Sequence, residues 1–307
     1  MIDGEALHAQ GPIELRLNPT TSGVGFGHRL AGRRLVTDLS LPSLGAPREF
    51  EHATPLVSVR GVGNAHLAFE GEAWLGGRMR RLVARWRGAV AEVEIEPEVV
   101  WQIDRSRWRA LLLTTGTPAE SRGALEEMAL GPPLLLLLAA RGLAAIHASA
   151  ALVDGKLVLF SGDSGAGKST FAAQPPWVRM ADDLVPIENL GGLILAHLDY
   201  PQLKLRPMRR SVAPIPLAGF VLLAGPGSAE TPTLDRLTGR EAAEALLAQT
   251  MSSRLYDEEL LAAHFELCLA TAQRIPAYRL ALPRDLARIP EAADLVVDRV
   301  QPIGHGG

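Results

Sequence analysis

Short segments in which apolar and polar residues alternate fill the chain from Ile13 to about Arg109. The clearest of them reads VAEVEIEPEVVW and places Val93 and Ile95 on one side, with glutamates on the other. A period of two residues is typical of a half-buried strand. The pattern therefore predicts a β-rich N-terminal part.

The alternation ends in residues 114–127, TTGTPAESRGALEE, which are rich in turn formers. We place a domain boundary in this stretch, with a β-rich domain in residues 1–124 and a second domain in residues 125–307. A helix is predicted to open the second domain, to restart at Pro132 and to end at about Arg141.

Apolar runs and helical periods alternate in the rest of the chain. The runs on either side of residues 154–155 predict a β-hairpin, and residues 217–225, LAGFVLLAG, predict a buried strand. Thr238 and Glu241 fit a capping box at the start of a helix, and another helix is predicted from Asp257. Strands alternating with helices indicate an α/β domain whose sheet is at least partly parallel.

The second strand of the hairpin runs into GDSGAGKST, which fits the Walker A pattern G-x-x-x-x-G-K-[ST] of a P-loop. Its glycines allow backbone N–H groups to turn inward around an anion. The lysine can reach phosphates and the serine can ligate Mg²⁺. The alternative is a glycine-rich turn that binds nothing. The predicted nucleotide-binding residues are Gly162, Asp163, Ser164, Gly165, Ala166, Gly167, Lys168, Ser169 and Thr170.

The helix after this loop is predicted to end within two to three turns, at Pro175. Asp182 and Asp183 then close a predicted strand, WVRMADD. One carboxylate can complete the oxygen shell of Mg²⁺, and the other can accept the proton of an acceptor hydroxyl. An ordinary polar turn after a strand is the alternative interpretation.

Composition narrows the classes of protein. Apolar residues make up 47% and charged residues 21%, which is typical of a folded soluble chain, and the net charge of -3 argues against general nucleic-acid binding. We see no secretory signal and no apolar stretch near the ~20 residues that span a bilayer. The single cysteine, Cys268, is predicted to be a buried thiol, and the cytoplasm is the expected compartment.

HASAALVDGKLVLFSGDSGAGKST together with ADDLVPI resembles the HPr kinase/phosphorylase superfamily, in which a histidine precedes a hairpin, a P-loop and an Asp-Asp pair. LKLRP and PAYRLALPRDL are similar to HPr kinase-related proteins of peptide-modification gene cassettes, such as lasso-peptide tailoring kinases. The resemblance implies an HPr kinase-like fold and a serine kinase. Its cofactors would be ATP and Mg²⁺, and its acceptor a peptide or protein such as a ribosomally made (RiPP) precursor peptide.

The resemblance also implies roles for single residues. Lys168 and Ser169 would bind phosphate and Mg²⁺, Asp182 would be the catalytic base, Asp183 would support the metal and His147 would orient the base. HPr kinases are hexamers, which implies that this chain forms a homo-oligomer.

The chain departs from the sequence pattern of HPr kinases in two places. Thr170 follows Ser169 where HPr kinases have glutamate, and their signature downstream of the Asp pair is absent, which argues against phosphorolysis and against HPr as the acceptor.

Phosphoryl transfer also needs cations around the migrating group, for which Arg206 and Arg254 are candidates; either can instead be a surface charge.

Five arginines between residues 78 and 87 form a cluster. Their arrangement indicates either a solvated strand face or a docking surface for an acidic partner segment, such as a peptide added at a sheet edge.

For the whole chain, two further functions stay open. One is an ATP-binding regulatory or scaffold module without phosphotransfer, and the other is a kinase for a small-molecule alcohol.

Overall fold

The structure is a computed structural model in which two compact units are distinguished. One unit runs up to Arg141 and also includes Ser252–Ala262; the other comprises Gly142–Met251 and the chain from Ala263 onward. The residues described are 12–16, 25–31, 33–38, 41–44, 48–50, 63–96, 99–113, 122–201 and 213–300.

A nine-stranded sheet forms the first unit within these residues, in the order β4-β2-β3-β1-β9-β8-β7-β6-β5. Strand β1 runs parallel to β3 and β9, and the other pairs are antiparallel. The predicted β-rich part is thus confirmed where it is described. The strands are β1 Ile13–Arg16, β2 Gly25–Leu30, β3 Arg33–Thr37, β4 Arg48–Phe50, β5 His66–Leu75, β6 Arg78–Arg87, β7 Val90–Ile95, β8 Val99–Asp104 and β9 Arg109–Leu113.

Two helices follow the sheet, α1 (Arg122–Leu130) and α2 (Pro132–Ala139), so the predicted restart at Pro132 is confirmed. Every residue of α2 is buried, and the helix packs on β8 and β9. This packing groups both helices with the first unit. The sequence placed the domain boundary earlier, before the helices, because it did not reveal what the apolar run LLLLL covers.

The second unit contains a mixed sheet in the order β10-β14-β15-β16-β12-β11-β13, with β18 also paired to β16 and β17. The contacts of β16 with β12 and β18 are parallel, as expected for a partly parallel α/β sheet. Its strands are β10 Leu143–Ile146, β11 Ala148–Val153, β12 Lys156–Gly162, β13 Val178–Ala181, β14 Val185–Leu190, β15 Leu193–Ala196, β16 Ile215–Pro226, β17 Thr233–Arg236 and β18 Ala277–Leu282.

The remaining helices are α3 (Lys168–Ala172), α4 (Gly239–Ala248), α5 (Glu258–Arg274) and α6 (Ile289–Arg299). The capping box predicted for α4 is present, since the Thr238 side chain accepts from the Glu241 N–H and the Glu241 carboxylate accepts from the Thr238 N–H. Helix α3 is shorter than predicted: it ends at Ala172, and the chain turns through Gln174 before the two prolines.

Alternate residues of β12 enter two separate hydrophobic clusters of the second unit, as a strand buried on both faces requires. The Phe160 ring stacks on Trp177 with centroids 5.3 Å apart, and the Phe171 ring meets both of them edge-on. These three aromatic side chains fix β12, α3 and the turn before β13 against one another. The loop between β12 and α3, which we call the phosphate loop after its Walker A sequence pattern, is therefore held on a packed base.

The arginine cluster on β6 is largely satisfied by its own sheet. Arg81 pairs with Glu70 and Glu96, Arg85 approaches Glu94, and the buried Arg80 donates to backbone carbonyls. This favours the interpretation as a charged strand face over that of a site for acidic partners. Among the helices that the structure describes, none combines the length and the apolar character needed to cross a membrane.

Candidate functional site

The loop between β12 and α3 is built around three glycines with positive φ. Gly162, Gly165 and Gly167 have φ of 145°, 83° and 90°, a region that residues with a Cβ rarely adopt. At Gly162 the space is also closed, because an added Cβ would lie 2.6 Å from the Leu223 carbonyl oxygen on β16. Glycine at these positions is thus required by the loop geometry, as the Walker A pattern predicted.

The Lys168 side chain forms hydrogen bonds with the backbone of the loop that precedes it. Its ammonium donates to the carbonyl oxygens of Gly162 at 2.9 Å and Asp163 at 3.0 Å, and the residue is 8% exposed. Asp163, Ser164 and Gly165 are exposed. A positive group thus lies next to inward-turned backbone, with the loop rim open to solvent, which is the arrangement that an anion needs.

Asp182 connects this loop to the end of β13. Its Oδ1 accepts hydrogen bonds from the hydroxyls of Ser169 at 2.7 Å and Ser149 at 2.6 Å. Asp182 is buried, and Ser149 on β11 is completely so. The predicted Mg²⁺ ligand Ser169 and one carboxylate of the pair are therefore in direct contact.

Asp183 lies toward His147. Its Oδ1 is 3.6 Å from the His147 Nε2, and both side chains are partly accessible. The backbone of Asp183 has φ of 80°, a strained value for a residue with a Cβ. Strain of this kind concentrates at functional sites.

Tyr200 is a buried phenol in the surroundings of Asp183. Burial is the larger cause that raises the pKa of Tyr200 above its usual value, and the negative charge of Asp183 raises it further. The phenol therefore stays protonated next to that carboxylate.

His147 is held by its own backbone between β10 and β11. Its N–H donates to the Gln249 carbonyl at 2.8 Å, and its carbonyl accepts from the Ser161 hydroxyl at 2.6 Å. Ser161 lies on β12 immediately before Gly162 and is completely buried. A hydrogen bond thus links the His147 backbone to the strand residue that precedes the phosphate loop.

Of the two predicted arginines, Arg206 lies outside the described residues. Arg254 is exposed in a 3₁₀ turn of the first unit. Beside Asp182 lies an arginine that was not predicted, Arg179 of β13, whose Nη1 is 3.9 Å from the Asp182 Oδ2. The catalytic roles of Arg206 and Arg254 stay predictions.

The donor set is compatible with Mg²⁺ bound beside phosphates. In the described part of the chain, no three His, Cys, Asp or Glu side chains are grouped so that they could hold a metal ion. Mg²⁺ at phosphate sites characteristically takes only one or two protein carboxylates, and its other ligands are phosphate oxygens and water. The Ser169 hydroxyl and an adjacent aspartate are the groups that fit this pattern.

Sequence reasoning missed three residues of the site: Ser149, Arg179 and Tyr200. Ser149 follows His147 at an interval of two, and Arg179 precedes Asp182 within β13, so both could have been considered. Nothing near Tyr200 in the sequence signals its position, because the β14–β15 hairpin that precedes it was not predicted.

Comparisons with known proteins give a likeness to solved structures but not to known sequences. No protein-family model and no curated protein sequence matches the chain. A solved structure of the HPr(Ser) kinase/phosphatase from Coxiella burnetii is similar at 12% identity, covering 50% of this chain and 94% of that chain, with a TM-score of 0.28.

Proposed function

We propose that this chain transfers the γ-phosphate of ATP to a serine hydroxyl of a peptide or protein. The observation that carries the proposal is the 2.7 Å hydrogen bond from Ser169 to Asp182, because it joins the phosphate loop to the pair of carboxylates. A second carboxylate beside a histidine gives the site a group that can receive a proton. Nucleotide binding alone would not need that group.

Each part of the phosphate site has a distinct task. The backbone N–H groups of the loop bind the phosphates, and Lys168 exchanges its carbonyl partners for phosphate oxygens. When bound, Mg²⁺ neutralises charge on the phosphate oxygens; Ser169 and one aspartate would hold it. Arg179 adds positive charge beside Asp182.

The contacts favour a division of labour opposite to the one that the resemblance implies. Asp182 accepts from the predicted metal ligand Ser169, whereas Asp183 faces His147. We therefore assign Asp182 to the metal side and Asp183 to the acceptor side. In the reaction, the serine oxygen forms the new P–O bond, the bond to the bridging oxygen of ADP breaks, and the hydroxyl proton passes to Asp183, which His147 orients.

Purified variants test both the activity and the division of labour. Asp183→Asn should lower turnover by about 10²- to 10⁴-fold, the usual contribution of a positioned general base, with an unchanged dependence on Mg²⁺ concentration. Asp182→Asn should shift that dependence to higher Mg²⁺ concentrations. Label transfer from γ-labelled ATP and ADP release at several Mg²⁺ concentrations measure both effects. The reverse result would restore Asp182 as the base.

Lys168→Ala should weaken ATP binding and transfer together. The matched control is Lys156→Ala at the other end of β12, whose ammonium donates to the Val300 carbonyl. If Lys168→Ala binds ATP as tightly as the control does, the loop is not the nucleotide site.

The acceptor is found by labelling an extract of source cells that lack this gene with γ-labelled MgATP. The resemblance to kinases of peptide-modification cassettes supports a RiPP precursor as the acceptor, so we expect a labelled peptide that is absent with Asp183→Asn. ATP binding without label transfer to any polypeptide would favour the regulatory module or a small-molecule alcohol. Self-association, which the resemblance also implies, is measured separately by sedimentation.

A further inference from the structure

Strand β5 ends the nine-stranded sheet of the first unit. It pairs with β6 on one side, and no other strand pairs with it in the portion of the chain that the structure describes. None of its residues is buried, although the strand is 10 residues long. Unpaired backbone groups along such an edge are a template for an additional strand.

One end of this edge carries an exposed apolar pair. Trp74 on β5 lies directly opposite Met79 on β6, and the two residues are 63% and 52% exposed. Large apolar side chains opposite each other at a sheet edge provide a surface against which a side chain of an incoming strand can pack.

The face that carries this pair is acidic overall. Because residues opposite each other and at intervals of two share a face, the register places five glutamates and three arginines of β5, β6 and the end of β7 on it. They are Glu70, Glu72, Glu92, Glu94, Glu96, Arg81, Arg85 and Arg87.

The position of the charges within the face decides the kind of partner. The arginines lie on β6, and Arg81 is already paired with Glu70 at 2.6 Å and with Glu96 at 2.8 Å. Strand β5 itself carries Glu70 and Glu72 but no lysine or arginine. Glu70 is engaged by Arg81, but five glutamates against three arginines leave the face with an excess of negative charge, opposite to the acidic partner that the arginines alone suggested. We call Glu70, Glu72, Trp74 and Met79 the acidic edge.

We propose that the acidic edge binds an extended basic segment of a polypeptide, which adds as a strand beside β5. Lysine or arginine at every second position would face Glu70 and Glu72 and approach the Trp74 ring, while backbone hydrogen bonds provide the affinity. This proposal deepens the proposed function and rests on it in one respect: the polypeptide is the acceptor of the phosphate.

The first test measures binding without nucleotide. The probe is a fluorescein-labelled peptide about eight residues long in which lysine and valine alternate, so that one face is basic. Fluorescence anisotropy should show binding of this probe and none of its glutamate–valine counterpart. The backbone N–H groups of successive strand residues point to opposite sides, so two further probes carry methylated backbone nitrogens, one at the valines and one at the lysines. Both keep the charge, and the probe methylated on the side that faces β5 should bind at least about tenfold more weakly. If both methylated probes bind as tightly as the unmethylated one, strand addition is overturned.

Variants locate the binding. Glu72→Lys and Trp74→Ala should each weaken binding of the probe, and the bound probe should shield Trp74 from acrylamide quenching. The control Glu266→Lys makes the same charge change at an exposed position of α5 in the second unit and should leave binding unchanged. If the control weakens binding as much as Glu72→Lys does, the attraction is only that of net charge, and the proposal is wrong.

Two further measurements separate this proposal from the proposed phosphotransfer and from self-association through β5. Lys168→Ala should bind the probe normally, so loss of phosphotransfer and loss of docking are distinguishable. Sedimentation of the natural chain and of Glu72→Lys shows whether β5 instead pairs with a second copy. A dimer that Glu72→Lys disrupts would overturn the polypeptide partner.

Discussion

Ser169 and Ser149 donate to the same oxygen of Asp182 from two different elements, α3 and β11. A carboxylate held from two sides keeps one orientation, so the position of the Ser169 hydroxyl, the predicted Mg²⁺ ligand, is fixed by the protein itself. Asp183 has different surroundings. Its backbone is strained, and its Oδ1 lies 3.6 Å from the His147 Nε2. The two adjacent aspartates therefore differ in their surroundings, and the different roles proposed for them rest on that difference.

Gly162 gives a prediction at this scale. Gly162→Ala would bring a Cβ to 2.6 Å from the Leu223 carbonyl oxygen, a backbone atom that cannot turn away. We expect a loss of about 2 kcal/mol or more in the free energy of unfolding, together with weaker MgADP binding. Thermal unfolding and calorimetric titration measure the two effects.

The matched variant is Gly165→Ala, where the added Cβ meets open space but the φ of 83° remains unfavourable. It should cost about 1–2 kcal/mol, from the backbone alone. If both variants are equally stable, the close approach of β12 to β16 at Gly162 does not constrain the loop.

At the scale of elements, the capping box of α4 is the clearest local signal that the sequence carried. Thr238→Ala removes the hydroxyl that accepts from the Glu241 N–H and should lower the free energy of unfolding by about 1 kcal/mol. Urea denaturation followed by circular dichroism measures the change.

The control for this variant is Arg240→Ala on the same helix, which removes an exposed contact with Glu244 and should have a smaller effect. A larger loss for Arg240→Ala than for Thr238→Ala would mean that the cap does not determine where α4 begins.

Local elements were predictable because their signals lie within a few residues. The phosphate loop, the hairpin before it and the restart at Pro132 all follow from glycine, proline and a change of period. Sheet order was not predictable, because it depends on pairs far apart in sequence. Strand β13 carries the chain to Asp182 but lies two strands away from β12, with β11 between them. Ser149 lies on β11, between these two strands, and therefore comes next to Asp182; no local sequence pattern predicts this.

At the scale of the whole molecule, the predicted domain boundary and the division into two units differ in two places. Helices α1 and α2 group with the β-rich unit, and so does the distant segment Ser252–Ala262. In that segment the Leu255 carbonyl accepts from the Trp86 indole, and Asp257 pairs with Arg105. These contacts join residues 169 and 152 positions apart, about half of the chain, which a reading in sequence order cannot foresee.

Global stability should depend on pH through His264. Burial lowers the pKa of His264 below 6.5, and its Nε2 lies 2.8 Å from the Thr250 hydroxyl. The unfolded chain binds a proton there more readily than the folded chain does. Stability is therefore fully present above pH 6.5 and falls as the pH decreases through and below that value.

The measurement is the free energy of unfolding in urea at several pH values, for the natural chain and for His264→Gln. The variant should lose that part of the pH dependence, which is at most about 1.4 kcal/mol per pH unit for one proton. His66→Gln, at an exposed position of β5, is the control and should leave the slope unchanged. An identical slope in all three proteins would show that His264 does not contribute.

The turn at Asp154 and Gly155 lies at the opposite end of β12 from the phosphate loop. Both of its residues are exposed and have positive φ, and the strand between turn and loop has 7 residues. At ~3.3 Å per residue, roughly 20 Å separate the two ends. An inserted tag, a dye or a surface linker can therefore be attached at this turn, on the same rigid strand that ends in the loop but outside the reach of the reacting groups.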